Sequence, residues 1–179
     1  MARIRRHFIQ VSAAPKTHVG QKRKYVNVSW QASQSVAHTA CENIEEMHMD
    51  DKTWRTLLET ARRVLGRGRS QSWASDSWCA WTTFSSLEHW LTYWACGVPE
   101  AGELLATGTA DGGTWTQAFT YSDLAHFIVP ARFYWETSSP EAGFQSGYKP
   151  QDIVKLSQEL SRLKISHRLS ERVLEIKLY

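Results

Sequence analysis

Nine tryptophans in 179 residues constrain this chain more than any other feature. An indole is a large apolar body with one polar N–H, so each asks for burial and for an acceptor. Five of the nine, Trp73, Trp78, Trp81, Trp90 and Trp94, fall within one short stretch, and Trp30, Trp54, Trp115 and Trp135 are spread along the rest. Such a chain builds a substantial core from few residues. Hydrophobic content of 42% with 22% charged residues belongs to a globular chain, not a disordered one. The length fits one domain spanning 1–179.

Periodicity then assigns the elements. Lys24 to Trp30 alternates Val26, Val28 and Trp30 with polar neighbours and reads as a half-buried strand, with His7 to Val11 as a shorter β-like run. Val36, Ala40, Ile44 and Met47 share a helical face. The clearest helix follows: Asp50 and Asp51 at its start, a stripe of Trp54, Leu57, Leu58, Ala61 and Leu65, then Arg62 and Arg63 before a stop at Gly66. Arg67 to the serines after Arg69 reads as a flexible basic connection. A short helix is expected from Ser85 or Ser86, with Leu87, Trp90, Leu91 and Trp94 facing inward. Residues 114–121 and 131–136 read as strands, with a helical turn through Leu124, Phe127 and Ile128 between them. The stretch from Ser138 to Gly147 is turn-rich. Ile153, Leu156, Leu160 and Leu163 line a helix after Pro150, and Val173 to Tyr179 alternates as a last strand. The sum is an α+β fold: one small, mainly antiparallel sheet packed with about four helices. A basic strand or hairpin segment over 1–30 leads into a helix-rich body over 31–179. Strands and helices do not alternate strictly, which speaks against a doubly wound parallel sheet.

Charge is unevenly placed. Seven of the 21 Lys and Arg residues, and none of the 18 Asp and Glu residues, fall in the first forty-one positions. Clustered positive charge repels itself unless an anionic partner neutralises it. The cations Arg3, Arg5, Arg6, Lys22, Arg23 and Lys24 are interleaved with Phe8, Tyr25 and Trp30, a composition that suits nucleic-acid backbone and bases. It suits an acidic protein surface equally, or a solvated strand edge. No helix-turn-helix, RNA-recognition or zinc-finger signature favours nucleic acid. The odd set Cys41, Cys79 and Cys96 points to buried thiols in a reducing compartment, so a cytoplasmic location is expected. No apolar run is long enough to span a membrane. The apolar stretch behind the arginine-bearing start is too short for a secretory leader, and Tyr25 to Trp30 reads too strongly as structure for an organellar transit peptide.

Chemical motifs are weak. His38, Cys41 and His48 bring soft ligands together but lack a second pair, so no metal and no cofactor is expected. The acids from Glu42 to Asp51 read as a solvated face with capping aspartates. Cys79 or a serine near His89 or His126, with Asp76, Glu88 or Asp123, would make a nucleophilic site. That reading needs a pocket holding Cys79 or His126 with an acid in hydrogen-bond reach. The leading expectation is therefore a non-enzymatic binding protein, an inhibitor or immunity-type factor that blocks a protein partner. Trp73, Trp78 and Trp81 would supply buried contact, with Arg67, Arg69 and the six N-terminal cations steering an acidic partner. Nucleic-acid binding by the basic segment comes second, and a small hydrolase or transferase third.

Overall fold

The computed structural model describes residues 49–179. The basic segment, the strand expected at 24–30, the helix expected at 36–47 and the ligand set His38, Cys41 and His48 lie outside the described residues.

The described residues form three α-helices and seven strands arranged in two antiparallel sheets. This corrects the expected single sheet with about four helices. Helix α1 spans Asp51–Leu65 as its stripe and caps dictate. The Asp50 side chain accepts from the Thr53 N–H at 2.7 Å, and Gly66 ends the helix with φ of 96°. Strand β1 (Cys79–Thr83) leads into a short α2 (Phe84–His89) and β2 (Trp94–Cys96). After a long loop come β3 (Leu124–Pro130), β4 (Arg132–Ser139), β5 (Gly143–Pro150), α3 (Ile153–Arg162), β6 (Arg168–Leu169) and β7 (Val173–Lys177). The five-stranded sheet runs in the order β2-β1-β3-β7-β6, and β4 and β5 pair only with each other as a ribbon.

Register sorts the side chains of the larger sheet. Trp81 pairs with Phe127, and Phe127 with Ile176, which puts all three on one face. Helices α1 and α3 close that face, with Trp54 edge-on to Phe127 at 6.4 Å and Leu57, Leu156 and Leu160 buried beside it. At the β2 end the same layer becomes an aromatic stack. Trp81 lies 3.8 Å from Trp115, and Trp94 and Phe119 pack around the pair. The Trp115 indole donates to the Gly97 carbonyl at 3.0 Å, whereas the indole N–H groups of Trp54 and Trp81 meet no acceptor among the described residues.

Four local expectations are overturned. Leu124 to Pro130 is a strand, not a helical turn. As a central strand it is buried on both faces, so its apolar run carries no alternation. Residues 114–121 bury Trp115, Phe119 and Tyr121 without forming a strand, because Thr116 adopts φ of 63° and tight turns replace the ladder. Residues 138–147 are not merely turns; they complete β4 and β5. Nor is the segment after α1 a loose connection. A Cβ on Gly68 would stand 1.9 Å from the Val98 carbonyl oxygen, and one on Gly97 would stand 2.6 Å from the Gly68 Cα. Two backbones cross there in a space only glycine leaves open. The Asp76 and Gly97 N–H groups donate to the Arg67 and Arg69 carbonyls across the crossing.

Candidate functional site

The expected contact residues separate in space. Trp81 is 1% exposed at the centre of the stack, so it is a core residue and offers no surface to a partner. Trp78 is half-buried, stacked on Phe133 at 5.7 Å, and Trp73 is exposed. The Arg67 guanidinium is tied to Glu100 at 3.1 Å, in company with Arg62, and Arg69 is half-buried. Arg3, Arg5, Arg6, Lys22, Arg23 and Lys24 fall outside the described residues. Trp90 and Leu91, expected to face inward, are 76% and 75% exposed because α2 ends before them.

Two surfaces emerge instead. The first is the β4–β5 ribbon. Its register pairs Arg132 with Pro150, Tyr134 with Tyr148, and Ser138 with Phe144. These alternate positions share one face, on which Tyr134, Tyr148 and Phe144 are all exposed. The rings of Tyr134 and Tyr148 lie 5.6 Å apart, the Arg132 guanidinium sits 5.0 Å above Tyr148, and Glu136 accepts from the Tyr134 hydroxyl. The other face is fastened to the body. Phe133 stacks on Trp78, and the Lys149 ammonium donates to the Trp73 and Ser75 carbonyls at 2.8 Å each. Gln151 clasps the base: its side-chain amide donates to the Trp78 and Pro130 carbonyls, and its carbonyl accepts from the Trp78 N–H at 2.7 Å. A two-stranded ribbon is marginal alone; these contacts hold it rigid with its aromatic side outward.

The second surface is the sheet face opposite the helices. Thr82 pairs with His126 and His126 with Lys177, so these share that face with Glu175. His126 and Glu175 are buried. The Glu175 carboxylate receives Arg168 on Oε1, and Oε2 lies 3.1 Å from His126 Nε2. A carboxylate only accepts, so Nε2 carries the hydrogen and Nδ1 of the neutral ring is an acceptor. The Tyr93 hydroxyl, 2.8 Å away, donates to Nδ1, and its oxygen accepts from the Tyr179 hydroxyl at 3.1 Å. Burial holds the His126 imidazolium form down, below the ordinary 6.5, against the upward pull of Glu175. Partial burial and the Tyr179 hydroxyl push the Tyr93 phenol up to about 12. Close by, His167 Nδ1 donates to the Ile165 carbonyl, which leaves Nε2 to accept from the Ser157 hydroxyl at 2.7 Å.

His126 therefore does have an acid in reach beside a hollow, but it is Glu175, not Asp76, Glu88 or Asp123. Asp123 instead accepts from Ser85, whose carbonyl His89 meets at 2.6 Å. Cys79 is buried, and burial raises its thiol well above the ordinary value. Among the described residues no group of three metal-ligating side chains gathers, and no helix is long and apolar enough to cross a membrane. Comparison with protein-family models, curated proteins and solved structures finds no match.

Proposed function

We propose that this protein works by binding a protein partner through the outer face of the β4–β5 ribbon, in the manner of an inhibitor that covers another protein's surface. One observation carries the reading: Tyr134, Tyr148 and Phe144 stand together, exposed, on a ribbon whose opposite face is anchored by Trp78, Lys149 and Gln151. Aromatic rings held at low entropic cost, with an arginine among them, are what dominates binding energy at protein interfaces. The face carries one arginine, Arg132, and one glutamate, Glu136, so it lacks the excess of cations that phosphate backbones demand. Blocking needs a rigid surface and no reactive group.

A photoreactive residue at position 148 identifies the partner by crosslinking, and calorimetry then compares the purified partner with wild type and with Tyr134→Ala/Phe144→Ser/Tyr148→Ala. Loss of at least about tenfold in affinity with unchanged thermal stability is expected. Equal affinity of the variant, or crosslinks to nucleic acid alone, overturns the reading.

The His126–Glu175 pair favours a second reading, a small hydrolase or transferase. Both ring nitrogens are engaged, so proton transfer to a substrate would pass through the Tyr93 hydroxyl. Tyr93→Phe abolishing a hydrolytic activity while sparing the fold is the corresponding result; activity that survives it removes this reading.

A further inference from the structure

We infer that the hollow beside β6 and β7 binds a small ligand carrying a phosphate group. This is independent of the ribbon. The hollow has a volume of about 390 Å³ and is lined by Arg168, Lys177, Ser166, His167 and Tyr179 around the His126–Glu175 pair.

The single carboxylate side chain in the lining, Glu175, has one oxygen on Arg168 and the other on His126. Its charge is therefore already met by the guanidinium. Lys177 makes no ion pair among the described residues; its ammonium is held 4.3 Å from the centre of the Tyr179 ring, at the hollow's edge. Arg168 gives one guanidinium nitrogen to Glu175 while its side chain remains 78% exposed, which leaves further N–H groups of its planar fork for an incoming oxygen. Ser166 also lines the hollow. Two cationic side chains thus face one carboxylate side chain. A tetrahedral dianion, with several acceptor oxygens, uses the ammonium and the guanidinium together better than a planar monoanion does.

Binding is coupled to a proton. His126 is faced by Tyr93 from the approach to β2, by Glu175 and Lys177 from β7, by Arg168 from β6, and by Tyr179 beyond β7. Lys177 and Arg168 both disfavour its imidazolium form. A dianion placed on those two cations cancels their influence and raises the imidazole toward protonation.

The test titrates inorganic phosphate, and separately acetate, into the full chain at constant ionic strength while the His126 ring signals are followed by NMR across pH. Phosphate is expected to give a saturable shift and to move the His126 titration upward. Lys177→Gln, a surface change, is expected to weaken binding about tenfold. A non-saturating response overturns the inference. So does equal phosphate affinity in Lys177→Gln, which would place binding elsewhere, as on the basic N-terminal segment. Acetate binding as tightly as phosphate overturns the phosphate assignment.

Discussion

His126 is where a single side chain most visibly sets a property of the protein. Its folded-state pKa lies below 6.5 because burial outweighs the Glu175 contact. The unfolded chain therefore takes up a proton at this position at a pH where the folded chain still refuses it. Stability is full above the unfolded value of about 6.5 and declines as pH falls through the folded one. Thermal unfolding followed from neutral to mildly acidic pH is expected to fall more steeply for wild type than for His126→Gln; parallel curves would show that the ring does not titrate this way. The pair was invisible in the chain order. His126 and Glu175 stand 49 positions apart, and Glu175 reads in isolation as the polar phase of a strand turned to water. It is the pairing of β3 with β7 that buries it against the imidazole.

Among the elements, the ribbon depends most on one residue outside its strands. Gln151, 8% exposed, ties the end of β5 to Trp78, just before β1, and to β3 by three side-chain hydrogen bonds. Gln151→Ala removes all three and leaves the part-buried Trp78 N–H without its acceptor, at a cost of about 2–3 kcal/mol. Chemical denaturation measures this, and a loss below about 0.5 kcal/mol would mean the clasp is dispensable. The same variant is expected to loosen the ribbon and weaken partner binding without touching Tyr134, Phe144 or Tyr148. Elements differed in legibility for identifiable reasons. Helix α1 could be read whole because caps, charge order and stripe agree. The β4–β5 ribbon could not, since Ser138, Ser139, Gly143 and Gly147 have turn chemistry yet stand in the ladder itself, with Pro140 at the turn. Gly147 sits opposite Trp135, whose ring covers the space a side chain would fill. Neither residue predicts that from its own neighbourhood.

At the level of the whole molecule, the aromatic stack joins segments that are far apart in sequence: β1, β2 and the loop before β3 meet at Trp81, Trp94, Trp115 and Phe119. Trp81→Ala would leave a large cavity against Trp94, Trp115 and Phe119, at about 3–5 kcal/mol, a large fraction of the stability of a domain this size. A cooperative unfolding midpoint close to wild type would contradict the central place given to this ring; loss of cooperative unfolding, or a midpoint many degrees lower, fits it. Trp81 thus serves the fold, and the exposed rings of Tyr134, Phe144 and Tyr148 are those we propose for recognition. Register and burial together make the distinction: Trp81 shares a face with Phe127 and Ile176 under the helices, while Tyr134 and Tyr148 pair on a ribbon face where both stay exposed.

By itself the sequence determined the aromatic character of the core, helix α1 with its caps, the helix after Pro150, the final strand and the lopsided charge. Each of these is written in nearest neighbours or in one helical turn. Tertiary structure decided which tryptophans are sealed and which exposed, that the strands divide into two sheets, and that His126 meets Glu175. Those outcomes depend on which strands pair and in what register, and pairing is a contest among distant segments for the same hydrogen bonds and the same apolar surface.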